Sequence, residues 1–157
     1  MRNNALHHVR GAGFKLYLNY STNATTWSNH SEVPGLGLVA TGHAPALATH
    51  RGKLYLAYRD LFTGQVTITT HTGSAWTAPV RPAGTTPDAP ALAVRGDVLY
   101  CAIRGGDDQL WLTSLTGDST TWSQFNKIPV PAMTISAPAI AAHNTDDLHF
   151  VYRSAEF

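Results

Sequence analysis

Arginine recurs along the chain at the ends of apolar segments, and this recurrence is the first pattern that could support chemistry. The four residues are Arg10, Arg59, Arg104 and Arg153. A guanidinium presents five N–H donors in a planar fork, so it can bind the hydroxyl groups or the carboxylate of a small ligand. The same fork can hold a strand in place by binding backbone carbonyls or an aspartate such as Asp88. Recurrence in every repeat slightly favours this locking role, and Arg59, Arg104 and Arg153 also stay candidate ligand-binding residues.

Tryptophan also recurs, with spacings of 49 and 46 residues. The three positions are Trp27, Trp76 and Trp122. The favoured role of these tryptophans is to pack one repeat against the next. The alternative is stacking against a ligand, and for this reason Trp76 and Trp122 are also candidate ligand-binding residues. Trp111 differs, because its counterparts are Tyr17 and Thr67 and no strict repeat requirement explains it. A saccharide site needs an aromatic face and a few polar groups, so Trp111 and Tyr17 are the best stacking candidates.

Local catalytic motifs do not occur in the sequence. We find no nucleophile elbow, P-loop or glycine-rich dinucleotide motif. Glu32 and Glu156 are the only glutamates, so paired carboxylates for glycoside hydrolysis would have to come from aspartates in turns. Asp107 lies in such a turn and is interpreted first as a turn residue and second as a ligand acceptor. We therefore expect no catalytic residue, no cofactor and no enzymatic activity.

The eight histidines follow no zinc-binding pattern such as HExxH. His7 and His8 are adjacent in a predicted strand, so their side chains should point to opposite faces. His50 and His143 fall at the same end of equivalent strands, where they would line the mouth of a channel. On this basis we expect no metal site.

Composition narrows the class of protein. Charged residues make up 13% of the 157 residues and the formal net charge is +1, which argues against a nucleic-acid partner. Cys101 is the single cysteine, so no internal disulfide can form, and its apolar neighbours predict a buried, inert thiol. No apolar run follows Met1 and no stretch is long enough to span a bilayer. We expect no membrane span, and the composition is compatible with either a cytoplasmic or a non-classically secreted protein without assigning a localisation.

An internal repeat supplies the elements that must position these residues. The motif Ala44–Ala48 returns 45 residues later as Ala89–Ala93, and a variant returns 48 residues after that as Ala137–Ala141. A period of 40 to 50 residues is typical of propellers and solenoids. Short apolar segments separated by turns, without helical periodicity, favour four-stranded antiparallel propeller blades. The small Ala-Pro-Ala strand would be innermost and the strand that begins at tryptophan outermost.

The predicted strands follow this repeat. In the first full repeat they are Ala44–Thr49, Lys53–Arg59, Gln65–Thr70 and Trp76–Val80. In the second they are Ala89–Val94, Val98–Arg104, Gln109–Leu115 and Trp122–Ile128. The last repeat supplies Ala137–His143 and Leu148–Arg153, and the N-terminal region supplies Phe14–Tyr20.

Counting blades predicts an assembly. We interpret residues 1–157 as one unit made of an outer half-blade (5–43), two blades (44–88 and 89–136) and an inner half-blade (137–157). That is three blades' worth, whereas closed propellers have roughly four to eight. We therefore expect an all-β, six-bladed propeller completed by a homodimer, in which Ala137–Arg153 of one chain pairs with Phe14–Val33 of the other. The segment Leu6–Arg10 is left over, because it duplicates Leu148–Arg153.

The repeat resembles a known family. "SAPAI…DDLHFVYR" and "DAPALAV…DVLYCAIRGGDDQLWLTSLTGDSTTWS" are similar to the repeats of the bacterial and fungal propeller lectins of the fucose-specific type. The resemblance implies saccharide pockets between adjacent blades, built from aromatic faces and polar groups. Asp60-Leu61-Phe62 replaces Gly105-Gly106-Asp107 in the first repeat and Ser154 stands in the third, so the pockets should be unequal.

Sialidases, which are six-bladed propellers, are the second resemblance. Their Ser-x-Asp-x-Gly-x-x-Trp box is not met, and the segment Thr69–Trp76, with His71 in place of Asp, comes nearest. The expected function is a non-catalytic, glycan-binding lectin with several weak sites that gain strength by multivalency. Two alternatives stay open: a propeller fragment, natural or engineered, that assembles without a ligand, and a sialidase-like glycosidase.

Overall fold

The computed structural model of the chain describes residues 5–39, 42–130 and 133–155. These residues form twelve strands in four antiparallel sheets. The first sheet contains β1 (Leu6–Ala12), β2 (Lys15–Ser21) and β3 (Ser31–Glu32), and the second contains β4 (Ala46–His50), β5 (Lys53–Arg59) and β6 (Val66–His71). The third contains β7 (Ala91–Arg95), β8 (Val98–Arg104), β9 (Leu110–Thr116) and β10 (Asn126–Lys127), and the fourth contains β11 (Ala139–His143) and β12 (Asp147–Val151).

Each sheet follows chain order, so every strand pairs with its neighbour in sequence. β4 and β11 both lie against β7, which brings the first strands of three successive repeats together, as predicted for innermost strands. The described residues form no helix, and hence none that could cross a membrane. The all-β prediction is confirmed.

The outer strands are shorter than predicted. Trp76–Val80 is not a continuous strand, and it contacts β6 through isolated bridges that join Trp76 to His71 and Val80 to Ile68. Of Trp122–Ile128, only Asn126–Lys127 is a strand. Proline residues explain the interruption in the second sheet, because Pro79 and Pro82 have no N–H to donate to a ladder. Among the described residues, only the third of the four sheets has four strands.

The unplaced N-terminal segment has a definite position. Leu6–Arg10 forms most of β1, which pairs with β2 along its whole length, from Leu6 opposite Ser21 to Ala12 opposite Lys15. β1 therefore occupies, within the same chain, the edge of β2 that the predicted pairing with a second chain would use.

Two hydrophobic clusters hold the sheets together, and β5 belongs to both. Tyr55 and Ala57 contribute to the cluster shared with the third sheet, whereas Leu56 and Tyr58 contribute to the cluster shared with the first. This burial of both faces was expected from the continuous apolar pattern of the strand. Tyr58 donates a hydrogen bond to the carbonyl of Leu36 at 3.0 Å, and burial raises the pKa of its hydroxyl to about 12.

Cys101 lies in the cluster between the second and third sheets and is fully buried. Desolvation raises the pKa of its thiol to about 12, so the thiolate that would react is not formed at neutral pH. The predicted burial of this cysteine is confirmed.

Candidate functional site

Arg59 lies at the end of β5 and binds within the protein. Its Nε donates a hydrogen bond to the carbonyl of Thr86 at 2.7 Å. A Cβ atom at Gly64 would lie 3.3 Å from Nη2 of this arginine, so the guanidinium fits closely against the glycine. Arg59 thus ties the end of the central strand to the connector that leads to β7.

Arg104, the equivalent residue of β8, is tied more extensively. Its Nη1 donates to Oδ1 of Asp108 at 2.7 Å, and its Nε lies 2.8 Å from Oδ2 of Asp88. A longer contact of 3.5 Å joins Nη1 to the carbonyl of Thr134. The side chain of Arg104 is only 17% exposed. These contacts match the locking role. Each arginine contacts the carbonyl of a threonine in the connector before the next repeat, Thr86 for Arg59 and Thr134 for Arg104.

The other two recurring arginines lie on the surface. Arg153 is exposed, and its carbonyl accepts a hydrogen bond from the N–H of Ile135 at 3.1 Å. Arg10 lies over the ring of Tyr17, with its guanidinium carbon 5.8 Å from the ring centre. Its Nη2 lies 3.3 Å from Nε2 of His30.

A cleft of about 360 Å³ lies between the second and third sheets and contains Trp111 and Asp107. Its walls are formed by Ala83, Gly84, Thr85, Ile103, Gly105, Gly106, Asp107, Trp111 and Phe125. Trp111 and Phe125 are half-buried and provide two aromatic rings, while Asp107 and Gly106 are exposed at the opening. The size falls within the range of roughly 300–1,000 Å³ typical of small-molecule sites.

The side chain of Asp107 is held in place by hydrogen bonds from Trp111 and Gln109. Nε1 of Trp111 donates to Oδ1 of Asp107 at 2.9 Å, and the N–H of Gln109 donates to the same oxygen at 3.2 Å. Partial desolvation opposes ionisation of this carboxyl, but the hydrogen bonds from Trp111 and Gln109 outweigh it and lower the pKa of Asp107. The carboxylate of Asp107 is therefore ionised at neutral pH, and an ionised carboxylate is a hydrogen-bond acceptor.

Two glycines allow the walls of this cleft to approach each other. A Cβ at Gly105 would lie 2.6 Å from Oδ1 of Asp107 and from Nε1 of Trp111, closer than atoms can approach. A Cβ at Gly84 would overlap the ring of Phe125. Phe125 and Gly84 did not stand out in the sequence. The repeat could have indicated Phe125, because it directly precedes β10 just as His30, which contacts Tyr17, directly precedes β3.

Tyr17 is the register equivalent of Trp111, but it lies in the first sheet and contacts a different set of residues. Tyr17 pairs with Glu32 as Trp111 pairs with Lys127. Its ring meets that of His30 edge to face, with the centroids 5.4 Å apart. The structure therefore does not bring the two predicted stacking residues into one site.

Two of the three recurring tryptophans, Trp76 and Trp122, lie between sheets, whereas Trp27 is 43% exposed beside His8. Trp76 is half-buried, packs against the cluster shared by the first and second sheets, and meets the ring of His71 edge to face at 5.2 Å. It also lines a second cleft, of about 620 Å³, with Tyr20 of β2. Trp122 packs against the cluster shared by the second and third sheets and lines a cleft of about 280 Å³. These contacts are those expected of residues that pack one repeat against the next.

Glu32 is not among the residues that line the Trp111 cleft. Glu32 is bound by Lys15, whose Nζ lies 2.9 Å from Oε2, and both side chains are about half exposed. Glu156 lies outside the described residues. His50 and His143, expected together at a channel mouth, differ in exposure, because His50 is 3% exposed whereas His143 lies on the exposed face of its hairpin.

No protein-family model matches this sequence, and no curated protein matches it either. Solved structures do match. NanB sialidase from Streptococcus pneumoniae, in complex with 2-[(3-chlorobenzyl)ammonio]ethanesulfonate, superposes with a TM-score of 0.57 and 15% identity over 84% of this chain. The GH43 endo-arabinanase from Bacillus licheniformis superposes with a TM-score of 0.56 and 17% identity over 92%. The chain spans 22% of the sialidase and 60% of the arabinanase.

This comparison corrects the expectation that the chain is not an enzyme. The matched proteins, a sialidase and an endo-arabinanase, are both enzymes, so the lack of a local catalytic motif does not argue against activity in a chain of this fold. The expectation was wrong because it rested on local motifs. In a repeat fold, residues from different sheets meet at one site although they are far apart in sequence, and a motif search cannot detect them.

The fold is the feature that this chain shares with the matched structures. The sequence identities are 15–17%, so the likeness is one of architecture. The matched structures are glycosidases of the β-propeller type. Together with four successive antiparallel sheets arranged around adjacent first strands, this supports a propeller-type, all-β fold for the chain.

Proposed function

We propose that the chain binds saccharides in the cleft lined by Trp111, Phe125 and Asp107. The observation that carries this proposal is the combination of two aromatic rings with an ionised carboxylate in a cleft between neighbouring sheets. The C–H face of a pyranose or furanose ring packs on an aromatic surface, and a carboxylate accepts hydrogen bonds from its hydroxyls. The sialidase and arabinanase neighbours support a ligand of this chemical class.

Preorganisation supports the same assignment. The bond from Trp111 to Asp107 fixes the ring and the carboxylate relative to each other before a ligand arrives. Ordering these side chains would otherwise cost binding free energy, roughly 0.5–1.5 kcal/mol for each. The equivalent position in the second sheet is Thr67, which is buried and provides no ring. Binding strength therefore differs between the repeats.

A glycan array probed with the labelled chain tests the proposal. Fucosylated glycans are included because of the repeat resemblance, and sialylated glycans and arabinan oligosaccharides because of the structural neighbours. We expect binding to at least one of these classes, and titration calorimetry on the best glycan should give an affinity in the micromolar to millimolar range. Product analysis on the same glycans shows whether binding is followed by hydrolysis. Absence of binding to every class would contradict the proposal and favour an assembling fragment without a ligand.

We also infer that two chains associate through the edges of the first and fourth sheets. Within the described ranges, β1 and β12 are the end strands of their sheets, and each leaves one edge without a neighbouring strand. Leu6 of β1 is 54% exposed and Val151 of β12 is 71% exposed. Open, apolar strand edges promote association with another chain. Because β1 already pairs with β2, the contact would involve β1 itself rather than the edge of β2.

Light scattering measures this association directly. We expect a mass close to twice the 16.9 kDa of one chain, and the variant Val151→Lys should shift the mass toward a single chain by placing a charge on the exposed strand. The variant Val80→Lys is the matched control, because Val80 is 42% exposed and lies beside β6, away from β1 and β12; it should keep the wild-type mass. A folded single-chain mass at every concentration would contradict the association.

A further inference from the structure

The hairpin of the fourth sheet carries three metal-ligating side chains on one face. His143 lies opposite Asp147 in the register of β11 and β12, and His149 lies two residues further along β12. Side chains alternate along a strand, so Asp147 and His149 share a face. The nitrogen and oxygen atoms that could bind a metal all lie within 4.8 Å of one another.

The equivalent positions have different roles in the other sheets, where they are covered by a neighbouring sheet or hold other side chains. The equivalent positions in the second sheet are His50, Lys53 and Tyr55. There the imidazole is buried and its Nε2 lies 3.2 Å from the carbonyl of Gly117. In the third sheet the equivalent positions are Arg95, Val98 and Tyr100, and the arginine lies over the tyrosine ring. Among these sheets, two imidazoles and a carboxylate meet only in the fourth.

The separations suit a small metal ion after minor adjustment. Tetrahedral zinc with bonds of roughly 2.0–2.1 Å requires ligand atoms about 3.3 Å apart. His143, Asp147 and His149 are all exposed, so rotation of their side chains can close the difference without moving the backbone. The ring centroids of the two histidines are already 6.0 Å apart.

Asn144, in the turn of the hairpin, supports the arrangement. Its Nδ2 position lies 3.3 Å from Nδ1 of His143. The two ends of an amide are interchangeable by rotation, so its oxygen can accept a hydrogen bond from Nδ1–H. That bond would leave the lone pair of Nε2 free for a metal and fix the orientation of the ring.

We propose that His143, Asp147 and His149 bind a divalent transition-metal ion, with zinc as the favoured occupant. Two imidazole nitrogens and one carboxylate oxygen are ligands that zinc accepts, and they fill three of its four positions. The fourth position is open to water or to a group from another molecule. This site is separate from the Trp111 cleft and does not depend on saccharide binding.

Titration calorimetry with zinc chloride tests the site on the whole chain. We expect one zinc ion per chain, at least tenfold weaker binding in His149→Gln, and loss of this binding in the double variant His143→Gln/His149→Gln. The matched control is His8→Gln, because this histidine is also exposed on a strand and lies 3.0 Å from Oδ1 of Asn19. The control should bind zinc as the wild type does. Circular dichroism of each variant shows whether the fold is kept.

Two results would overturn the proposal. One is the absence of zinc binding to the wild-type chain at micromolar concentrations. The other is unchanged zinc binding in the folded double variant, which would assign the ion to other histidines. Chemical shifts of the His143 and His149 ring protons give an independent readout, since zinc at this site should move both and leave those of His8 in place.

Discussion

Replacing Trp111 with alanine should weaken saccharide binding about thirtyfold or more, equivalent to about 2 kcal/mol, the loss typical of a central aromatic contact. The substitution removes the stacking surface and also the donor that holds Oδ1 of Asp107, 2.9 Å from the indole nitrogen. Trp111 is half-buried at a cleft wall rather than in the centre of the core, so the chain should still fold. Titration calorimetry with the best glycan from the array measures the loss.

Two further variants separate the contributions. Trp111→Phe keeps an aromatic face but cannot donate to Asp107, so it should bind between wild type and alanine. Trp27→Ala is the matched control, because this tryptophan is 43% exposed and lies in the first sheet region, against His8. It should bind like the wild type. Equal affinity of Trp111→Ala and wild type would place the saccharide elsewhere on the chain.

Replacing Arg104 with methionine should lower the free energy of unfolding by about 2–4 kcal/mol, because removal of one partner leaves a largely buried charge uncompensated. Asp88 would lose the guanidinium 2.8 Å away, although its side chain is only 24% exposed. Asp108 would lose its partner at 2.7 Å. For a chain of this length the melting temperature should fall by roughly 5–15 °C. Urea denaturation followed by tryptophan fluorescence measures the change.

Arg51→Met is the matched control for this prediction. Arg51 has bonds of similar length, 2.5 Å and 2.7 Å to Asp97 and 2.6 Å to Asp118. However, the side chains of Arg51, Asp97 and Asp118 are 43%, 53% and 67% exposed, so solvent screens these pairs. The control should lose much less stability than Arg104→Met. The double variant Asp88→Asn/Arg104→Met should recover part of the loss. Equal losses in the two single arginine variants would show that Arg104 does not lock the repeat.

The sequence predicted the central strands well. The bounds of β5 and β8 coincide with the predicted Lys53–Arg59 and Val98–Arg104. Both strands are covered on two faces, and this burial produces a continuous apolar pattern that is easy to recognise. The outer strands were predicted too long, since proline and exposure weaken their pairing without changing the repeat pattern. The place of Leu6–Arg10 was not predictable, because two segments of the same type competed for one position.

The sequence indicated some of the residues that line the candidate cleft and not others. Trp111 and Asp107 stood out because Trp111 departs from the repeat and Asp107 lies in a polar turn. Phe125 and Gly84 did not, because their role depends on the approach of the connector 83–85 to the third sheet. The cluster of His143, Asp147 and His149 was missed for a similar reason. No zinc motif covers residues that meet only through the register of a hairpin.

The sequence by itself determined the repeat, the all-β class and the strands with two buried faces, since these follow from local periodicity and composition. The tertiary structure decided which arginines bind within the protein, which aromatic rings share a cleft and which histidines meet. Those outcomes depend on distances between sheets, and a distance between sheets is set by the packing of many side chains at once. The local sequence pattern therefore determines the strands, whereas the packing of the sheets determines which residues form the site.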